Sequence, residues 1–195
     1  AFDILGARLD LGESVGYIEG DLRIQGSVTD DQSEVRIGAS NVNGHFGVGP
    51  AGVTLEDGVA GLLLSYSDAD GYGYAVTAEG RASLEGIDAL TLESDQLTIA
   101  INETGSALVQ NIATPDSTLV LDLQVGESTI NGLVAMDLAG LLAIEGEITI
   151  SSLSDTITLS DSTSDLAADR LNIIGSDLTA TLNAPGTSEM GITLS

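Results

Sequence analysis

The sequence predicts an all-β, elongated repeat architecture, and three observations carry that prediction. Aliphatic residues alternate with polar ones at period two along most of the chain. Clusters of Gly, Asp, Asn and Ser interrupt the alternation at short intervals, and residues 90 to 105 return without a gap at 171 to 186. In that echo LTLESDQLTIAINETG is matched by LNIIGSDLTATLNAPG, with Leu90 on Leu171, Leu92 on Ile173, Leu97 on Leu178, Ile101 on Leu182, Asn102 on Asn183 and Gly105 on Gly186. The recurring positions are inward aliphatics and turn residues, as expected of stacked structural repeats.

Along the chain, strands are marked by Leu9 and Leu11; Leu22 and Ile24; Val35 and Ile37; Leu97, Ile99 and Ile101; Leu119, Leu121 and Leu123; Ile148 and Ile150; Ile157 and Leu159; Leu178, Ala180 and Leu182; and Ile192 and Leu194. Each run is about five residues long, the length of a half-buried strand. Tight turns are expected at Gly12-Glu13-Ser14, Thr29-Asp30-Asp31, Asn43-Gly44, Asp57-Gly58, Asp68-Ala69-Asp70-Gly71, Asn131-Gly132 and Gly175-Ser176-Asp177, because these residues accept positive φ or bond their own backbone. Helical spacing is confined to Val134 to Ile144 (VAMDLAGLLAI) and Ser164 to Leu171 (SDLAADRL).

An apolar-Glu-Gly motif recurs at Ile18-Glu19-Gly20, Leu84-Glu85-Gly86 and Ile144-Glu145-Gly146, with Ala78-Glu79-Gly80 as a weaker copy. The strong copies stand 66 and 60 residues apart, which is three coils of about 20 to 22 residues each. The expected form is therefore a β-solenoid or β-helix-like stack, with tandem β-sandwich units as the alternative. Asn111 to Ser117 (NIATPDS) is the internal seam. It divides a first repeat unit with a partial start, 1–110, from a second, partial unit, 111–195, continuous with the first. The strand-like ends AFDILGARLDL and MGITLS predict that the array continues beyond residues 1 and 195.

Hydrophobic residues make up 43% of the 195, enough for a substantial core, yet the aromatics are only Phe2, Phe46, Tyr17, Tyr66, Tyr72 and Tyr74. The core is therefore expected to be thin and aliphatic. Thirty acidic residues face five arginines and no lysine, a formal charge of −25. Such a surface repels phosphate backbones and anionic headgroups, which excludes nucleic acid and membrane surfaces as partners, and it suits divalent cations. No apolar run reaches the roughly 18 residues of a membrane span.

Nothing in the sequence assembles a catalytic constellation. Without cysteine there are no disulfides or thiolate sites, and without lysine no amine catalysis. His45 is the single histidine, and the G-x-S-x-G elbow does not occur. Glu19, Glu85 and Glu145 recur at equivalent turns, which marks them as structural. The chain is read as a non-enzyme. Calcium is the one cofactor worth considering: Ser67-Asp68-Ala69-Asp70-Gly71 places two carboxylates two apart before a glycine, so Asp68 and Asp70 are the candidate metal ligands. Set on an EF-hand loop, Tyr66 occupies the first ligand position, and the competing reading is a hairpin tip. Asp30 to Glu34 and Asp155 to Asp165 are further acidic turns.

The stretch VRIGASNVNGHFG, then AGVTLEDGVAGLLL, then GYAVTAEGRASLEGIDALTLESDQLTIAINETG, from Val35 to Gly105, resembles the long tandem repeats of giant secreted bacterial surface proteins. The preceding LDLGESVGYIEGDLRIQGSV is similar to the start of the same unit, so the resemblance spans residues 9 to 105 well and 119 to 186 more loosely. It implies adhesive or fibre-forming material, extracellular or on the cell surface, assembling with itself, and it supplies no catalytic residues. The expected function is thus a structural or adhesive repeat that assembles end to end by β-stacking. The alternatives are a carbohydrate-binding or carbohydrate-active β-helix, for which Tyr66, Tyr72 and Tyr74 are the available aromatic platform facing a glycan or cell surface, and a calcium-stabilised spacer of an adhesin.

The charge and the acidic turns generate one measurable expectation. Bound calcium should raise the melting temperature by mass action; identical melting curves in calcium and in chelator would contradict it.

Overall fold

The computed structural model describes residues 1–10, 16–29, 32–48, 51–68, 71–157, 166–182 and 190–193. Among these, all regular structure is strand: β1 Phe2–Asp10, β2 Gly16–Val28, β3 Gln32–Val48, β4 Ala51–Ser67, β5 Gly71–Glu85, β6 Leu90–Asn102, β7 Leu108–Ala113, β8 Thr118–Leu123, β9 Ser128–Leu138, β10 Leu142–Ile157, β11 Leu166–Leu182 and β12 Met190–Thr193. Ten of them form one sheet in the order β1-β2-β3-β4-β5-β6-β9-β10-β11-β12, and β7 and β8 pair with each other. Every pairing is antiparallel. The all-β expectation is met, in an open sheet that does not close into a barrel.

The form of the repeat differs from the expected stack of coils. Coils of a β-helix pair in parallel, each with the coil above it, whereas here each strand of the large sheet pairs with its chain neighbours, apart from the β6 to β9 step over the hairpin. Over its described part the 81-residue echo is a repeated strand: residues 90–102 form β6 and 171–182 lie in β11, each the second strand of a pairing, β5 with β6 and β10 with β11. Residues 183–186 lie outside the described residues. The expected seam falls at the β7–β8 hairpin, with residues 110 and 111 inside β7 and Thr114 to Ser117 forming the tip. The sheet runs past it through β6 and β9.

Several expected turns are mid-strand bulges instead. Register shifts interrupt the pairing near Gly6 in β1, Asn41 in β3, Asp57 in β4, Asp95 in β6 and Asp177 in β11, and together they form a crease across the sheet. Gly6, Asn41, Asp57 and Asp177 take φ of 62°, 53°, 51° and 52°. The residue types that tolerate left-handed backbone in a turn tolerate it equally in a bulge, so composition alone does not separate the two. Asn43-Gly44 and Asn131-Gly132 likewise sit within β3 and β9. Of the Glu-Gly motifs, Glu19, Glu79 and Glu145 lie mid-strand at the crease, and only Glu85-Gly86 leads into a turn.

The helix-compatible segments are strands too. In Val134 to Ile144, Ala139 and Gly140 both have positive φ, 52° and 67°, and the Leu141 N–H donates to the Leu138 carbonyl at 2.9 Å. That is a two-residue hairpin turn of the type that matches strand twist, and it joins β9 to β10. In Ser164 to Leu171, residues 164 and 165 lie outside the described residues and β11 begins at Leu166.

Each bulge adds one residue to its strand, and that decides which way the side chains point. Alternation alone would send aliphatics on the two sides of the bulge to opposite faces; the extra residue restores them to the same face. Opposite residues share a face, so the pairings trace continuous apolar rows. Below the crease runs Ile4, Leu22, Ala39, Ala60, Ala78, Ile99, Ile130, Ile150 and Ile173. Above it runs Val53, Leu84, Leu92, Met136, Ile144 and Ala180. At the crease itself the cross-strand residues are glycines filled by neighbouring aliphatics. A Cβ on Gly146 would stand 2.7 Å from Leu178 Cδ2, one on Gly80 3.2 Å from Leu55 Cδ1, and one on Gly132 3.3 Å from Leu97 Cδ1.

The opposite face carries the ion pairs and the β7–β8 hairpin. Arg23 holds Asp3 through two 2.7 Å hydrogen bonds, Arg8 reaches Glu19 at 3.2 Å, and Arg36 reaches Glu34 at 2.6 Å. Leu108, Ile112, Leu121 and Leu123 of the hairpin cover Leu63, Ala75 and Ala100, the one buried aliphatic cluster among the described residues. This cluster is small and wholly aliphatic, in keeping with the composition. Asn102, fully buried, pins the hairpin's root: its amide donates to the Ser106 and Gln124 carbonyls at 2.8 Å each, and its Oδ1 accepts from Thr104. At the tip, a Cβ on Gly38 would collide with the Ala113 carbonyl and lie 3.0 Å from Thr114 Cα.

Close approach at Gly38 makes hairpin docking testable. Gly38→Val should lift the tip and cost about 1 to 3 kcal/mol. The check is denaturant unfolding together with amide exchange, which should rise in β7 and β8 first.

Candidate functional site

Asp68 follows the last residue of β4 and is exposed, while Asp70 lies outside the described residues. The hairpin-tip reading of this loop agrees with its position between β4 and β5. No group of three or more His, Cys, Asp or Glu side chains comes together among the described residues. His45 is half-buried on β3, with Nδ1 3.3 Å from Thr54 Oγ1 on the neighbouring strand. It is a strand residue with a cross-strand partner.

The tyrosines expected as a platform do meet. Tyr66 and Tyr72 are directly opposite on β4 and β5, with ring centroids 4.8 Å apart and planes tilted by 48°. With Val35, Leu64 and Tyr74 they line a shallow apolar hollow of about 420 Å³ on the apolar face. Through the strand ends the same two tyrosines border a polar cleft of about 510 Å³ on the hairpin side, lined by Glu34, Ser65, Glu103, Thr104 and Gln110. Glu34 is already engaged by Arg36.

The most connected polar group, missed in the sequence, is the side-chain network along the crease. Asp21 accepts from the Gly6 N–H at 2.7 Å and from the Asn41 amide at 2.9 Å. Asn41 also donates to Asp116 at 3.0 Å, and the Ser40 hydroxyl donates to Asp116 at 2.8 Å, which ties β3 to the hairpin tip. Asn43 Oδ1 accepts from the Asp57 N–H at 3.2 Å, and Asp57 pairs with Arg81. Farther along, the Asn131 amide donates to Glu147 at 2.9 Å and to Thr149 at 2.8 Å. These bonds satisfy the backbone and side chains that the bulges displace from the ladder. Chemically they are held in mutual contacts and offer no nucleophile with a base. The Asn41 amide first, and the Gly6 N–H second, hold the Asp21 carboxyl below the usual carboxylate range; the Arg23 guanidinium does the same for Asp3.

The largest feature is the apolar face. Ile4, Ile130 and Ile173 in the lower row are 41%, 41% and 67% exposed, and none of the residues in the two rows is charged. No described element covers this face, since the hairpin sits on the other side. Its sequence signal is the change of parity within a strand, as from Leu90 and Leu92 to Leu97, Ile99 and Ile101.

Comparison with protein-family models, curated proteins and solved structures found no match to this chain.

The lowered Asp21 pKa fixes the sign of a pH effect. A depressed folded-state pKa contributes stability above the unfolded value, near 3.9, that is lost as pH falls through the folded value. Asp21→Asn should therefore melt below the parent at neutral pH, and the gap should close as pH drops below about 4. Melting curves of both proteins across that range read the difference.

Proposed function

We propose that this chain is a structural repeat module of an extracellular or cell-surface protein, acting with like units to build extended β-sheet material. The observation that carries the reading is the repetition itself. The same strand, bulge and strand recur side by side across the sheet, and the 81-residue echo falls on two such strands. Its polar face is occupied by ion pairs and a docked hairpin. The outer edge of β1 presents an unpaired row of backbone donors and acceptors among the described residues, the kind of edge to which a further strand adds. The net charge of −25 keeps such a sheet in solution and opposes indiscriminate pairing. Calcium fits this reading as a stabiliser of the acidic surface, in the manner of an adhesin spacer.

The tyrosine corner gives a second reading its one specific observation: Tyr66, Tyr72 and Tyr74 gather at the strand ends beside a polar cleft. A glycan contact there would be local to an otherwise structural unit.

Electron microscopy and fibre diffraction of concentrated protein, with and without calcium, test the proposal. Rods or ribbons with a spacing of about 4.8 Å between strands are expected. Compact particles under every condition would contradict it.

A further inference from the structure

We propose that the apolar face is an interface for a second copy of this chain, packed face to face about a two-fold axis parallel to the strands between β5 and β6. The inference deepens the structural reading but stands apart from it. Face pairing gives closed dimers in a protein that builds no array, and edge-to-edge growth needs no face pairing.

Size argues for a macromolecular cover. Ten strands at about 4.8 Å spacing, over about 30 Å of strand, present about 1,300 Å² of face. Two copies together would bury about 2,600 Å², within the range of obligate dimers. The side chains argue for a copy of the same surface. In the lower row, Ala39, Ala60 and Ala78 form a trough on β3, β4 and β5, and Ile99, Ile130 and Ile150 form a ridge on β6, β9 and β10. The proposed axis sets Ala78 of one copy over Ile99 of the other, Ala60 over Ile130 and Ala39 over Ile150. Small thus meets large in these three pairs at the centre of an isologous contact. The fit follows from strand order alone, because these six residues occupy mirror positions in the ten-stranded sheet. Charge agrees, since the ion pairs lie on the opposite face and the paired rows carry none. A lipid cover is disfavoured by composition, with aromatics at only 3% and no tryptophan to form interfacial girdles.

The chain has no cysteine, so single-cysteine variants report geometry cleanly. With facing sheets about 10 Å apart, a residue at position 78 lies about 11 Å from its partner's copy and one at position 22 about 35 Å. Sedimentation from about 1 to about 100 µM should give twice the 19.8 kDa chain mass. A bis-maleimide reaching about 11 Å should cross-link Ala78→Cys between copies and leave Leu22→Cys uncross-linked. Ile130→Asp should shift the species to monomer; where circular dichroism shows that variant unfolded, the cysteine variants decide. Monomer throughout, cross-linking at position 22, or binding to phosphatidylcholine vesicles without dimer would each overturn the proposal.

Discussion

A one-residue offset at the crease is the constraint on which this architecture depends. Regular strands alternate strictly, so apolar residues separated by an odd count point to opposite faces. Val53 and Leu55 are followed by Gly58, Ala60 and Leu62 in β4, and Leu171 and Ile173 by Leu178 and Ala180 in β11; in both the parity changes midway. Without the bulges half of each such strand would turn its aliphatics toward the ion pairs. With them, a strand of up to 17 residues, about 55 Å long, keeps one apolar and one polar side from end to end.

The crease draws on both faces at once. On the apolar side an aliphatic next to the bulge, such as Leu97 or Leu178, drops over a cross-strand glycine, Gly132 or Gly146, where a Cβ would block it. On the polar side Asp21, Asn41 and Asp116 take up the backbone and amide groups that the offset displaces, and through Asp116 they fasten the hairpin tip to β3. Hairpin and crease thus share residues. The hairpin's aliphatics supply the one buried cluster among the described residues, so local stability should be greatest beneath β7 and β8 and should fall toward the outer strands.

The strand class, the thin aliphatic core and the repetition were legible in the residues. Leu97, Ile99 and Ile101 announce their strand by alternation, and the echo announces its twin. The bulges are hidden in the sequence because Asp57 and Asp177 belong to the same residue types as hairpin turns, and a turn is the commoner use of them. Local chemistry specifies left-handed backbone without specifying whether the chain reverses. Taken as turns, such residues divide the chain into strands of about five residues, and short strands at a Glu-Gly spacing imply coils. The distinguishing signal was present in the parity switch, which a true turn does not require. The polar network was hidden for a different reason, since Ser40 and Asp116 are 76 residues apart. The tyrosine pair was visible as a cluster, and its place on the apolar face followed only from the register. Asp68 could be singled out by spacing, but spacing alone did not bring it to other carboxylates.

The face itself is therefore set by which residues stand opposite each other across the crease. Backbone and methyl nuclear Overhauser contacts between β6 and β9 test this most directly. The expected result is Ile99 opposite Ile130 together with Leu92 opposite Met136, the two pairings offset by one residue. Ile99 opposite Ile130 with Leu92 opposite Asp137 would mean an unbroken ladder, aliphatics divided between both faces, and no continuous apolar surface.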